Sequence, residues 1–241
     1  MKRKLAILFS CVCFSASLAA TKAQCQLLMS TRPQVRIDPN LPEAPLPHKR
    51  SLFLFPGYDT VPDYRTAVAA LRRRQKFELA YKTTFDSSLL IRAAFTTGFD
   101  EAAALGPRYG DGASGAAKLY AYNATNLASM IFFTDGLLPV VFHQDPRYFR
   151  KGFGSVKSRI GWALRGEIVA FNDRGIPVPN YSEMLGFGMS AALSDAYLPP
   201  QNVSPGKTIE SIGIKEGVQF GFNLAHEFHA VKLVEQKLAG Q

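Results

Sequence analysis

LYAYNATNLASMIFFTDGLLPVVF, residues 119–142, is the stretch that decides the fold. Residues 119 to 144 contain one charged side chain, Asp135, and form the most apolar part of the chain after its N-terminus. The spacing of apolar residues predicts a helix that begins near Ser114, and Gly136 and Pro139 predict a break in it. We therefore expect a buried helical hairpin. A pair of membrane-embedded helices is the alternative, although no charge-free run reaches about 18 residues.

Further helices are expected on both sides of this stretch. They are predicted over residues 63–82, from residue 86 onward, and over 155–171, 182–198 and 208–238. Asp63, Asp86 and Ser155 are expected N-caps, because their side-chain oxygens can accept hydrogen bonds from the first backbone N–H groups of a helix. Behind Asp86, Ile91, Phe95 and Phe99 recur every four residues and so share one helix face.

The N-terminus has the pattern of an export signal followed by a flexible arm. Three basic residues precede an apolar run over 5–21 that ends in small residues, and cleavage is expected after Ala19 or Ala23. Seven of the fifteen prolines lie between residues 31 and 63, which excludes a helix there. We therefore predict a signal peptide (1–23), a proline-rich arm (24–62) and a single helical domain (63–238). The localisation that follows is the periplasm or the outer membrane of a bacterial envelope.

Glycine spacing near the C-terminus supports a helical bundle. Gly213, Gly217 and Gly221 recur every four residues, and on a helix they form a stripe that permits close packing of another helix. The alternating apolar residues of the same segment also suit an outer-membrane β-barrel. The capped helices before residue 171 favour the first reading. The predicted fold is therefore mainly α, a glycine-rich helical bundle after the arm.

Charge and motifs exclude several classes of partner. The net charge is +9, and loss of Lys2, Arg3, Lys4 and Lys22 leaves about +5, too little for a nucleic-acid-binding surface. GDGASG (110–115) lacks a preceding strand, and SPGKT (204–208) lacks the first glycine of a phosphate loop, so no nucleotide is expected. HEFHA (226–230) places its two histidines three residues apart instead of four. We predict neither a metal site nor a cofactor.

FHQDPRYFRKG (142–152) is the one stretch that offers candidate catalytic residues. His143 and Asp145 could act as base and orienting carboxylate, with Arg147 as a clamp for an anionic group. No nucleophile or third ligand can be named beside them. The alternative is a structural corner, in which Asp145 before Pro146 accepts backbone hydrogen bonds and an arginine pairs with it. The sequence leaves the question of an enzyme open and favours a non-enzymatic protein.

The same stretch and the helix after it mix cations with aromatic rings, a composition that suits the headgroup layer of an anionic membrane. The candidate docking residues are Tyr148, Phe149, Arg150, Lys151, Lys157, Arg159, Trp162 and Arg165. An anionic membrane surface or another envelope component is the expected partner, and self-association through the glycine stripe is possible.

Four stretches carry a resemblance: AYKTTFD (80–86), YGDGASG (109–115), FHQDPRYFRKG and DAYLPP (195–200). Together they resemble a family of signal-bearing bacterial envelope proteins, over about residues 55 to 230. The resemblance implies export and attaches no activity to any residue. The functional hypothesis is an exported, membrane-associating or structural protein, with a hydrolase or metal-dependent enzyme at His143 and Asp145 as the alternative.

Overall fold

The computed structural model describes residues 35–42, 50–51, 55–56, 58–103, 106–198 and 202–228, and 64% of these residues are helical. The six helices are α1 (Arg73–Thr84), α2 (Ser87–Ala103), α3 (Gly112–Val141), α4 (Val156–Ile168), α5 (Tyr181–Asp195) and α6 (Pro205–Phe228). The prediction of a mainly α fold is confirmed. The described residues form no closed barrel.

Short strands tie the connecting segments together. They are β1 (Ile37–Asp38), β2 (Arg50–Ser51), β3 (Phe55–Pro56), β4 (Thr60–Val61), β5 (Val68–Ala69), β6 (Gln144–Asp145), β7 (Tyr148–Phe149), β8 (Val169–Asn172) and β9 (Pro177–Pro179). β4 runs parallel to β7, and β1 runs parallel to β5. β6, β8 and β9 form an antiparallel sheet in which Asp145 lies opposite Phe171. The FHQDPRYFRKG stretch therefore joins the arm segment to the region after α4.

The expectation of a hairpin within residues 119–142 is wrong, because α3 runs without reversal from Gly112 to Val141. The helix widens instead into a π-helix over Phe132–Leu137 and ends in a last α-turn, Leu138–Val141. A π segment shifts the hydrogen-bond ladder, so Pro139 can sit in the helix although it donates no backbone hydrogen bond. Gly136 faces α1 there, and a methyl group on it would lie 3.1 Å from the Cβ of Ala80.

Helix boundaries match the local capping signals in two cases and differ in a third. The carboxylate of Asp86 accepts a hydrogen bond from Ser88 N (2.8 Å), and Ser155 Oγ accepts one from Ser158 N (3.3 Å). Asp63 does not open a helix. It accepts hydrogen bonds from the backbone and side chain of Arg65 in a turn, and α1 begins only at Arg73.

Three apolar clusters lie in the described structure, and the smallest consists of Tyr58, Leu71 and Leu79. The largest lies among α1, α2, α3 and α5 and consists of Ala80, Leu89, Ala93, Leu127, Met130, Ile131 and Phe187. The second lies behind the FHQDPRYFRKG stretch (142–152), here called the corner, and includes Val61, Phe149, Trp162 and Phe171. Gly186 permits the close contact of α5 with the π segment, since a Cβ on it would lie 2.6 Å from Cγ2 of Thr134.

The outer faces of several helices are apolar. On α2 the periodic residues Ile91, Phe95 and Phe99 are 44%, 63% and 46% exposed. On α4 Val156, Ile160 and Leu164 are exposed, and on α5 the same holds for Met184, Leu185, Met189 and Leu193. A helix on the surface of a water-soluble protein normally turns such a face toward the core. The apolar faces of α2, α4 and α5 instead point outward, away from the core.

Candidate functional site in the polar interior

Asp145 is held in a local ion pair. Its buried carboxylate accepts hydrogen bonds from Arg147 N (3.0 Å), Nε (2.9 Å) and Nη2 (2.6 Å). Arg147 Nη2 also donates to the carbonyl oxygen of Ala69, 2.9 Å away. Two-point contact between a guanidinium and a carboxylate is strong and fixes both groups. The pair links the corner to strand β5.

His143 points away from this pair. Its backbone has φ +54°, its side chain is 65% exposed, and its Nδ1 lies 3.8 Å from Oδ2 of Asp173. Asp173 in turn accepts a hydrogen bond from the buried ammonium of Lys76 (2.6 Å). The structure therefore does not bring His143, Asp145 and Arg147 together as base, orienting group and anion clamp. Among the described residues, no three His, Cys, Asp or Glu side chains are placed to hold a metal ion.

Of the eight candidate docking residues, three are buried, four are partly buried and one is exposed. Phe149, Trp162 and Arg165 are buried, and Trp162 Nε1 donates to the carbonyl oxygen of Phe149 (2.7 Å). Arg150 Nε donates to the backbone oxygen of Glu227 (2.9 Å). Lys157 is exposed. The cations and rings of this segment thus do not form one exposed docking surface.

Glu227, near the end of α6, binds the remaining candidate docking residues, Tyr148, Lys151 and Arg159. Its fully buried carboxylate accepts hydrogen bonds from Tyr148 Oη (3.1 Å), Lys151 N (2.8 Å), Gly152 N (2.8 Å) and Arg159 Nε (3.0 Å). The corner, α4 and α6 therefore meet at one anion. Burial, followed by the negative charge of Glu227, raises the pKa of Tyr148 above its usual range.

Of the two histidines of HEFHA, the structure describes His226. His226 Nδ1 lies 3.0 Å from Oγ1 of Thr60, and Nε2 lies 3.9 Å from Oδ2 of Asp59. Burial lowers the pKa of His226. His229 lies outside the described residues. His226 thus ties α6 to strand β4.

Helix α6 has one stripe of polar residues and another of glycines. Ser211, Lys215, Gln219, Asn223 and Glu227 recur every four residues, and the last three lie in hydrogen bonds with residues of α2, α4 or the corner. The predicted packing stripe of Gly213, Gly217 and Gly221 lies elsewhere on the helix. No atom of another helix among the described residues lies within 4 Å of a Cβ placed on these glycines. They line an apolar groove with Ile91, Phe95 and Phe99.

The polar interior contains a cavity beside the corner, here called the corner cavity. Part of it is open to solvent. Asp135 of the π segment and Glu183 of α5 both line it. Burial raises the pKa of Asp135 to about 6. Burial, and then the negative charges of Glu167 and Asp135, raise the pKa of Glu183.

The polar groups of the corner cavity are largely bonded to one another. Thr134 Oγ1 donates to Asp135 (2.9 Å), and Asn180 Nδ2 donates to Glu183 and to the carbonyl oxygen of Gly166 (3.0 Å). Gln144 accepts from Ser182 N (2.9 Å) and Ser182 Oγ (2.6 Å). These bonds fix the walls of the cavity and give its polar groups a structural role.

Sequence reasoning missed the ionisable residues of this interior, above all Asp135, Glu183 and Glu227. The available signal was their position on apolar helices. An ionisable residue on the helix face opposite an exposed apolar face lies inside the bundle. The sequence alone does not say which face is exposed.

Comparison of the chain with protein-family models, with curated proteins and with solved structures finds no match. The functional argument therefore rests on the geometry of this chain.

Proposed function

We propose that this chain is an exported bacterial envelope protein that associates with a membrane through the apolar outer faces of its helices. One observation carries the proposal. Between Ser87 and Asp100 on α2, and along the whole of α5, every exposed side chain lacks a formal charge. The acidic and basic residues of these segments, Arg92 and Glu183 among them, are at least partly buried. Lipid-exposed helices have this distribution, because ionisable groups are expensive in hydrocarbon and face the bundle interior.

Lipid explains the extent of the apolar surface better than a protein partner does. Exposed large apolar side chains occur on α1, α2, α4, α5 and α6. A second copy of the chain would cover one side of the bundle, whereas acyl chains can contact every side. Large exposed apolar areas on a protein commonly mark contact with a membrane or a partner.

Helix lengths favour immersion in part of the bilayer. α4 and α5 have 13 and 15 residues, which correspond to about 20 and 22 Å at 1.5 Å per residue. The hydrocarbon layer of a bilayer is about 30 Å thick. Within the described residues, Gly112–Val141 is the one helix long and apolar enough to cross a membrane, and the central helix of a soluble protein can pass the same test. We infer that the bundle is partly immersed, with lipid around its apolar faces.

Vesicle flotation tests the proposal. The mature protein is mixed with vesicles of phosphatidylethanolamine and phosphatidylglycerol and centrifuged through a density gradient. We expect it to float and to remain bound after a high-salt wash, because apolar contact is insensitive to screening. Phe95→Gln combined with Phe99→Gln should weaken flotation, and Leu41→Gln, an exposed apolar residue outside the helices, is the matched control. A mature protein that stays soluble without detergent, or a variant that floats like the wild type, contradicts the proposal. A soluble oligomer would assign the apolar faces to self-association.

Export is a separate part of the proposal, and it is supported by the apolar run over residues 5–21 and the basic residues before it. Expression of the full chain in a bacterium, followed by mass spectrometry of the envelope fraction, should give a mature N-terminus after Ala19 or Ala23. A chain that retains residues 1–23 in the cytoplasm would contradict it.

A further inference from the structure

A second cavity lies between α2, α3, α5 and α6, and it is here called the Asp100 cavity. Part of it is open to solvent. Leu127, Met130 and Val218 give it an apolar wall. Asp100 and Lys215 line it as well, so it contains buried groups of both charges.

Asp100 has an unused hydrogen-bond acceptor in this cavity. The residue is 3% exposed, and its Oδ2 accepts a hydrogen bond from Nδ2 of Asn123 (3.0 Å). Its Oδ1 is buried and has no hydrogen-bond partner in the part of the chain that the structure describes. Burial raises the pKa of Asp100, and the carboxylate of Glu210 adds to the effect. A buried carboxylate oxygen without a donor carries a desolvation penalty, so a ligand that supplies an N–H group would be favoured here.

Lys215 has unused hydrogen-bond donors in the same cavity. It is 7% exposed, and its Nζ donates to Oγ of Ser190 (3.1 Å). An ammonium group has three donors, and the described residues give Lys215 no ion pair. Burial lowers the pKa of Lys215 to about 8, against the nearby charge of Asp195, so the group stays mainly protonated at neutral pH.

The two charged groups do not pair with each other, and a chain of contacts runs between them. Asn123, which binds Asp100, lies one helical turn from Asn126 on α3. Asn126 Oδ1 accepts a hydrogen bond from Ser190 Oγ (3.1 Å), the same hydroxyl that Lys215 contacts. The carboxylate and the ammonium are thus connected through Asn123, Asn126 and Ser190, and they form no ion pair within 4.0 Å. Opposite charges buried in one cavity are expensive unless each finds a partner.

We propose that the Asp100 cavity binds a short zwitterion, whose ammonium group donates to the carboxylate of Asp100 and whose carboxylate accepts from Lys215 Nζ. The two ends of such a ligand are several ångströms apart, as in a dipeptide or a straight-chain ω-amino acid. The apolar wall contacts the methylene or side-chain groups between them. Ligand sites commonly combine an apolar lining with a few convergent polar groups. The inference goes beyond membrane association and does not depend on it.

Isothermal titration calorimetry on the purified mature protein tests the inference. The probes are alanyl-alanine and 5-aminopentanoate, with pentylamine and pentanoate as analogues that carry one charge. We expect at least one zwitterion to bind about tenfold or more tightly than either analogue, because only the zwitterion satisfies both buried groups. Absence of binding by both zwitterions, or equal binding by pentylamine or pentanoate, overturns the proposal.

Two variants assign the roles of the charged groups. Asp100→Asn and Lys215→Met should each weaken zwitterion binding by about tenfold to a hundredfold, since each removes one charge-assisted hydrogen bond. Glu101→Gln and Lys118→Met change exposed residues of α2 and α3 and serve as matched controls. Circular dichroism verifies that each variant is folded. Wild-type affinity in the folded Asp100→Asn variant contradicts the proposal, because Asn keeps the size of Asp100 and removes its charge.

Discussion

Replacement of Glu227 by Gln tests whether the buried anion at the end of α6 holds the corner in place. The carboxylate accepts four hydrogen bonds, from Tyr148, Lys151, Gly152 and Arg159. Gln offers one oxygen and one NH₂ group in the same space. The NH₂ group must therefore face two donors. Tyr148 can rotate its hydroxyl to accept, but the backbone N–H of Lys151 cannot and would be left without a partner.

The magnitude follows from these losses. An unsatisfied buried N–H group costs about 1–3 kcal/mol, and the partly buried guanidinium of Arg159, whose side chain is 16% exposed, loses its carboxylate partner as well. Removal of one member of a buried ion pair typically costs about 3–5 kcal/mol, and we expect a loss of this size in the free energy of unfolding. For a domain of about 200 residues, each kcal/mol lowers Tm by about 2–4 °C. The expected decrease in Tm for Glu227→Gln is therefore about 6–20 °C.

Urea unfolding followed by circular dichroism measures the change. Glu78→Gln is the matched control, because Glu78 forms an exposed pair with Lys82 and should change the free energy of unfolding by less than about 0.5 kcal/mol. Should Glu227→Gln fail to fold, Tyr148→Phe removes one hydrogen bond and should cost about 1 kcal/mol. Equal stability of Glu227→Gln and Glu78→Gln would refute the assignment of Glu227 as the joint of the corner, α4 and α6.

Three further changes are predicted from single positions. Gly186→Ala should cost about 1–3 kcal/mol because its Cβ would lie 2.6 Å from Cγ2 of Thr134, whereas Gly188→Ala, with nothing within 4 Å, should gain about 0.5–1 kcal/mol in urea unfolding. Burial raises the pKa of Glu167 to about 7, so its ionisation destabilises the fold as pH rises from about 4.5 toward 7; Glu167→Gln should therefore unfold at higher urea than wild type at pH 8 but not at pH 4. His143→Gly should raise stability by about 0.5–1 kcal/mol, since φ is +54° there; a decrease would show that the exposed side chain has a structural role.

Local signals in the sequence predicted local structure well. Asp86 and Ser155 cap their helices because an N-cap needs only the side chain and the backbone two or three residues later. Gly136 and Pro139 correctly marked an irregularity in α3, but its form was a π segment. Contacts with α1 and α5 decide between a widened helix and a reversed chain, and those contacts join residues far apart in sequence.

The direction of the helix faces could not be predicted from periodicity. The spacing of Ile91, Phe95 and Phe99 defines a face, and the same spacing results whether that face meets protein or lipid. The contact of Glu227 with the corner could not be predicted from the local sequence either. Its partner Tyr148 lies 79 residues away, and no pattern near either residue indicates the contact.

The two stripes of α6 suggest how apolar and polar contacts divide their roles in this bundle. Apolar contacts with lipid do not distinguish one helix rotation from another, because acyl chains adapt to any apolar face. Hydrogen bonds in a low-dielectric interior are directional, and an unpaired partner is expensive there. Gln219, Asn223 and Glu227 contact α2, α4 and the corner in turn, so only one rotation of α6 satisfies all three. Substitution of Gln219, Asn223 or Glu227 should therefore lower the free energy of unfolding. Polar substitutions in the glycine stripe of α6, or at Phe95 and Phe99 of α2, should reduce vesicle binding and leave circular dichroism unchanged.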